Sequence, residues 1–351
     1  MRNGRKNSPV RAPAVPNGRG KSETSGEFDI IARYFAPLAT NPAALGLLDD
    51  AAVLSIPEGQ ELVATCDTIT EGVHFLNNDP PDTVGYKALS VSLSDLAAKG
   101  ARPYVYLLSV ALPDLPKPPW LEAFVLGLQM AQESSGIELV GGDTCATLGP
   151  LTVTVTAIGM LPQGESVLRR GAMGGDRLYV SGTIGDAALG LKLLRAPWLE
   201  VEWGLSPDEG AFLVDRYRCP SARTALALPL RQCARAAIDV SDGLVGDTAK
   251  LCQASGVRAT IEAARVPLSH AAGKVVAKKP ELLAELITAG DDYEIVAAME
   301  ASHANGFEKE AQDHGVTVTA IGEVVAGGGV KVFDGEGRAL KLPRTGFEHF
   351  E

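Results

Sequence analysis

Two periods alternate along the chain. Val53-Leu54-Ser55-Ile56, the turn-like Pro57-Glu58-Gly59-Gln60 and Leu62-Val63-Ala64-Thr65 predict a hairpin of two short strands. Thr83–Lys99 has the 3.6-residue period of a helix, with Asp82 or Thr83 as N-cap and Gly100 as the stop. A strand over Tyr104–Leu112, a helix from Pro118-Pro119 to Gly136 and strands over Ile137–Val140 and Val153–Gly159 complete the first half. Gly164–Gly175 is a glycine- and arginine-containing junction. Beyond it the pattern predicts strand Arg177–Val180, helices from about Gly185 to Leu230, strand Ala236–Val240, helices Leu244–Ala254 and Glu281–Ala289, strand Tyr293–Ala298 and a terminal strand pair. Strands and helices alternate irregularly, so the expected class is α+β rather than a doubly wound sheet. Val153–Gly159 recurs letter for letter as Val316–Gly322, which is too short to establish a duplication.

Composition refines this picture. At 351 residues and 46% hydrophobic, two domains with cores of their own are expected. The expected boundaries are a disordered basic tail over 1–25, an N-terminal domain over 26–162 and a C-terminal domain over 163–351. Residues 1–22 hold six basic side chains and no carboxylate, so of the 32 basic and 43 acidic residues, 26 and 43 remain beyond them, a net −17 on the body. That charge excludes nucleic acid as a partner. No apolar run reaches the roughly 20 residues of a membrane span, so no membrane partner is expected either. Five cysteines, odd in number and without a C-x-x-C pair, point to a reducing cytoplasm, and no secretory signal is recognisable.

The chemistry lies in short acidic turns. Asp49-Asp50, Asp67, Asp143 after Gly141-Gly142, Asp239 with Ser241-Asp242-Gly243, and Asp291-Asp292 each follow or precede an apolar strand. Carboxylates converging from strand ends repel one another unless hard cations sit between them, so Mg²⁺ with phosphate is the natural ligand; the competing reading is that Asp and Gly merely favour turns. Asp95 follows Val84, Ala88 and Val91 at i, i+4, i+7, i+11, which puts a carboxylate on an apolar face where it must be paired or bound. Lys87 and Lys99 are expected to project to other faces. Gly141-Gly142-Asp143-Thr144 is suited to cradling a phosphate, Arg169-Arg170 to clamping one, and His74 sits in a loop that a polar ligand can reach. Walker A, kinase, zinc-hydrolase and serine-hydrolase signatures are missing.

In order and spacing these segments resemble thiamine-monophosphate kinase, a family of the superfamily that also holds aminoimidazole ribonucleotide synthetase and selenophosphate synthetase. The resemblance runs from Gly26-Glu27-Phe28 to Gly346-Phe347-Glu348-His349-Phe350. It includes Asp49-Asp50-Ala51-Ala52-Val53, Asp67-Thr68-Ile69-Thr70-Glu71-Gly72-Val73-His74-Phe75, Tyr86-Lys87-Ala88-Leu89, Leu93-Ser94-Asp95-Leu96-Ala97-Ala98, Ile238-Asp239-Val240-Ser241-Asp242-Gly243-Leu244 and Asp292-Tyr293-Glu294. It implies transfer of the ATP γ-phosphoryl group to thiamine monophosphate, with several Mg²⁺ ions and ATP as co-substrate. The fold it implies is a homodimer whose N-terminal mixed sheets join into a barrel, each followed by an α/β sandwich domain that closes the cleft. Carried over residue by residue, it assigns metal ligation to Asp50, Thr65, Asp67, Asp95, Asp143, Asp239 and Asp242, with Asp50, Asp95, Asp143 and Asp239 central to catalysis. It assigns ATP contacts to Gly142, Asp143, Arg169 and Ser241, and substrate contacts to His74, Asp291 and Phe347.

Three positions depart from the family pattern. Leu48 replaces a glycine, Asp291 is one methylene shorter than the expected Glu, and Arg344 stands where an aromatic residue is common while Phe347 is nearby. Two other readings stay open at this stage. One is another ATP-dependent synthetase of the superfamily, although the first cysteine is Cys66 and the chain ends Phe350-Glu351 rather than in Cys. The other is a non-catalytic nucleotide-binding regulatory dimer.

Overall fold

A computed structural model describes residues 26–343 and 346. The expected basic tail, Arg344 and Phe347 fall outside the described residues. The class is α+β, built on two mixed sheets.

The first sheet holds β1 (Gln60–Thr70), β2 (Arg102–Leu112), β3 (Glu138–Ala146) and β4 (Thr152–Pro162) in the order β1-β4-β2-β3. β4 runs antiparallel to both β1 and β2, and β3 runs parallel to β2. Side chains alternate across the sheet, so Val153, Val155 and Ala157 of β4 face the core, whereas Thr154, Thr156 and Ile158 look outward. Helices Pro81–Ala98 and Pro118–Ser135 cover the core side with Leu89, Leu93, Leu96, Phe124 and Leu128.

The second sheet holds β5 (Arg177–Ser181), β6 (Ala236–Val240), β7 (Arg258–Glu262), β8 (Glu294–Met299), β9 (Val318–Val325) and β10 (Gly329–Phe333), in the order β10-β7-β9-β5-β8-β6. Both faces are covered. Leu178, Val180, Ile238 and Val296 pack with helix Leu244–Ser255, while Tyr179, Ala237, Ile295 and Met299 pack with Phe307 of helix Ala304–Asp313 and with Ala97 from the first half. Every residue of β6 and β8 is therefore buried, including the carboxylates of Asp239 and Glu294 within otherwise apolar strands.

Several expectations change. The hairpin does not form: Val53 and Ile56 lie outside any strand, the Val53 N–H donating to the Ala43 carbonyl, and β1 pairs instead with the distant β4 from Gln60↔Pro162 to Thr70↔Thr152. Pro80, not Asp82 or Thr83, occupies the N-cap of the helix that starts at Pro81, a proline-compatible first position. The expected loop Gly141-Gly142-Asp143 is strand, because β3 continues through it alongside β2. Asp67 lies within β1 rather than beyond its end. β7 went unforeseen, and it separates the two terminal strands, β9 pairing with one of its edges and β10 with the other. The repeated heptapeptide occupies β4 and the start of β9, in both cases an inner strand of its sheet.

Candidate functional site

Beneath the first sheet, β1 and helix Pro81–Ala98 bring together much of the expected carboxylate set. Thr65 and Asp67 point to the helix side of β1. The Thr65 hydroxyl donates to Asp95, and the Ser92 hydroxyl donates to Asp67 at 2.9 Å. Two residues along the helix, the Ser94 hydroxyl donates across the domain boundary to Asp239 of β6 at 2.9 Å. Three aspartates from three elements thus gather around one buried helix turn. Burial is the main cause that raises the Asp67 carboxyl above its ordinary range, and the neighbouring Asp95 adds to it. Asp239, 4% exposed, is pushed up to about 8 by burial and then by Asp95 and Asp247. Lys99 donates to the Ala237 carbonyl at 3.3 Å and is lowered to about 8 by burial, with Arg169 adding to the shift. Carboxylates that resist ionisation are sites short of positive charge.

Among the described residues no three His, Cys, Asp or Glu side chains converge closely enough to hold a metal by themselves. Mg²⁺ commonly takes only one or two carboxylates and completes its shell with water and substrate phosphates, and the Asp67–Asp95 pair with its serine and threonine hydroxyls is a hard-oxygen donor set of that kind. Titration follows from the same shifts. Asp239 has a folded value above its unfolded one, so between about pH 4 and 8 the native state holds the extra proton and stability falls as pH rises. Lys99 opposes this only above about pH 8. We expect the Tm without metal to be several degrees lower at about pH 8 than at about pH 6, and Mg²⁺–ATP to stabilise most at the higher pH. Thermal scans in a chelator would show this, and a Mg²⁺–ATP effect indifferent to pH would contradict it.

A cavity of about 540 Å³ opens between the two sheets beside these carboxylates, with Asp67, His74, Tyr217, Ser241, Asp242 and Asp291 in its wall. His74 Nδ1 accepts the Thr70 N–H at 3.0 Å, which fixes the tautomer with the proton on Nε2. The Asp291 rim is strained, since Asp291 has φ 73° and Tyr293 φ 51°, a left-handed conformation that a bulky side chain rarely adopts. It is tied down from both sides: the Asp291 and Tyr293 N–H groups donate to Ser241 and Val240 carbonyls, and buried Asp292 accepts the Gly185 N–H at 2.8 Å. Gly290 is obligatory here, because a Cβ would lie 2.2 Å from the Ser241 carbonyl oxygen.

Two expected phosphate-side residues are differently engaged. Asp242 is ion-paired with Lys250, which also reaches Asp247 at 2.8 Å, while Asp247 accepts the N–H groups of Asp242 and Gly243. Arg169 is exposed, its backbone carbonyl accepting the Ser255 hydroxyl. Gly346 passes close to Gly246 and the Asp242 carbonyl.

Asp50, Gly142 and Asp143 stand elsewhere, in a second cavity of about 670 Å³ on the outward face of the first sheet. The register gives the reason. Thr68, Thr154, Ser109 and Asp143 form one row across the four strands, and Asp67, Val155, Leu108 and Gly142 form the next, facing the other way. A bulge in the pairing of Tyr106-Leu107 with Leu139–Gly141 sets this phase, and without it Asp143 would turn toward the helices. Gly142, at φ 154°, is required because a Cβ there would meet the Leu108 carbonyl oxygen at 1.8 Å.

Sequence reasoning missed Lys87, Tyr217 and Lys250. Lys87 is 1% exposed and does not project away from the buried side as expected; its partner is Asp291 rather than Asp95. Its place at i+3 between Val84 and Ala88 was the available signal.

Known proteins resemble this chain over most of its length. Residues 48–161 match the AIR synthase related protein N-terminal domain and residues 174–335 the C-terminal domain. A thiamine-monophosphate kinase of Caulobacter vibrioides is 44% identical over 327 residues, 92% of this chain and 90% of that one. The crystal structure of thiamine-monophosphate kinase from Stenotrophomonas maltophilia superposes with a TM-score of 0.78 at 36% identity, covering 87% of this chain and 95% of that one. AaThiL complexed with AMPPCP and TMP superposes at 0.73 with 32% identity, covering 93% and 97%.

Proposed function

The chain belongs to the thiamine-monophosphate kinase family, and from that premise we propose that it transfers the γ-phosphoryl group of ATP directly to the phosphate of thiamine monophosphate, giving thiamine diphosphate and ADP. The observation that carries the reading is the cavity lined by His74 and Asp291 directly beside the Asp67–Asp95–Asp239 group. The accepting phosphate is already an anion, so no protein base is needed, and the barrier lies in bringing two anions together in line. Asp67, Asp95, Asp239 and Thr65 would hold Mg²⁺ with Asp242 as a further ligand, and Asp50 and Asp143 would hold a cation at the second cavity; ions bound beside the first cavity would neutralise the approaching phosphates. Ser241, Gly142, Asp143 and Arg169 are the groups we assign to ATP, and His74, Asp291 and Phe347 those we assign to the thiamine portion. Lys250 must release Asp242 before that carboxylate can serve a cation.

We assign the domains to 26–162 and 163–351, the protein to the cytoplasm, and its assembly to a homodimer in which two first sheets join. The unpaired edge of β1 and the exposed Leu62 and Leu107 on the outward face support that assembly. Among the described residues no helix is long and apolar enough to cross a membrane. The test is an acceptor screen with ATP–Mg²⁺ and thiamine monophosphate, thiamine or an aminoimidazole ribonucleotide, following ADP release and product mass. Thiamine diphosphate is expected from the monophosphate alone. ATP binding without turnover on any acceptor would favour a regulatory protein.

A further inference from the structure

Lys87 is a charged side chain enclosed at the boundary between the two halves of the molecule. It rises from helix Pro81–Ala98 with its side chain 2% exposed. Its ammonium donates to the His74 carbonyl at 2.9 Å and to Asp291 Oδ2 at 3.1 Å, and sits 3.9 Å from the centroid of the Tyr217 ring. These partners come from three separate segments: the loop after β1, the rim before β8 and helix Pro207–Arg218. The Tyr217 hydroxyl donates to the same His74 carbonyl at 3.3 Å, and the Tyr293 hydroxyl donates to Asp291 Oδ1 at 3.2 Å. Asp291 therefore has both oxygens held, and His74 is anchored through its backbone as well as its ring.

The geometry points to Lys87 as a positioning residue that sets the substrate end of the cavity: by fixing Asp291 and His74 together it determines affinity for the thiamine portion of the acceptor, not the phosphoryl step. The inference rests on the proposed kinase reading and deepens it. Burying an ammonium is costly unless it is paired and hydrogen-bonded, and here the pairing is with the two residues facing the acceptor. The same contact offsets the strain of Asp291 at positive φ. Because Asp291 is a short carboxylate, it reaches Lys87 only while the rim stays in this conformation, so helix and rim move as one piece. Lys87 touches neither Asp67 nor Asp95, which leaves the metal and nucleotide side unaffected.

The experiment compares wild type, Lys87→Met, Lys87→Arg, Asp291→Asn and the Lys87→Met/Asp291→Asn pair in steady-state assays with each substrate varied. Loss of one charge-assisted hydrogen bond corresponds to about 10–100-fold. Lys87→Met is expected to raise KM for thiamine monophosphate by about that factor, with the ATP KM and kcat changed less than about threefold. Asp291→Asn should reproduce the split, the double variant should be no worse than the stronger single one, and Arg should restore part of the loss. Equal changes in both KM values, or additive effects in the double variant, would overturn the inference. If Lys87→Met does not fold, the split in Asp291→Asn and Lys87→Arg decides, and its absence there counts against the role. A wild type that turns over no thiamine monophosphate would remove the kinase reading and this inference with it.

Discussion

Replacing Asp95 with asparagine is expected to lower kcat/KM for phosphoryl transfer by about 10²–10³-fold while leaving the protein at least as stable as the wild type. Removal of one preorganised electrostatic group from a reacting centre costs about that much. Asn keeps the size of the side chain and still accepts the Thr65 hydroxyl, so β1 and helix Pro81–Ala98 remain joined. It also removes the charge that adds to burial in raising Asp67 and Asp239, which relieves repulsion in the fold. Activity and stability thus move in opposite directions, a pattern that simple misfolding cannot produce. Kinetics over a Mg²⁺ titration together with a thermal melt provide the check. A variant within about threefold of wild-type activity would remove Asp95 from the metal site.

The second large effect concerns stability. Glu294, fully buried at the start of β8, receives four hydrogen bonds: from Arg223 at 2.6 and 2.5 Å, from Arg216 at 2.9 Å and from Ser181 at 2.6 Å. Arg216 also donates to the Asp292 carbonyl and lies 3.8 Å from buried Asp186. Glu294→Ala strands two guanidinium groups in a poorly hydrated interior beside the strained rim. Breaking a buried pair from one side costs about 3–5 kcal/mol, which at this size lowers Tm by about 10 °C. Glu294→Gln, which keeps the shape but not the charge, should fall between the two. Denaturation curves of the three proteins measure this, and a loss below about 1 kcal/mol in Glu294→Ala would mean that the arginines find other partners.

Much of the fold was legible because it rests on local periodicity. Helix Pro118–Ser135 with Gly136 as its left-handed stop, and strands β6 and β8, apolar apart from Asp239 and Glu294, follow from residue order alone. The hairpin was misread because a Pro-Glu-Gly turn is a local signal, whereas the pairing of β1 with β4 is decided by burial against helices that lie between them in sequence. At the site, residue types and spacing identified the aspartates, but not which of them meet. One bulged residue in β3 places Asp143 on the opposite side of the sheet from Asp67, and single-residue phase is invisible to pattern reasoning. Helical phase directs Lys87 to a face other than that of Asp95 but does not show its partners, which are supplied by segments far away in sequence.

The β1–β4 pairing also bears on how the protein is made. Each ribosome releases Gln60–Thr70 well before Thr152–Pro162, and at about 5–20 residues per second β1 waits on the order of 5–20 s for its one partner strand among the described residues. Throughout that interval an eleven-residue strand bearing Leu62, Val63 and Ile69 has both edges open to other nascent chains. Expression yield should therefore depend on translation rate and holdase capacity more than on the final stability of the folded enzyme.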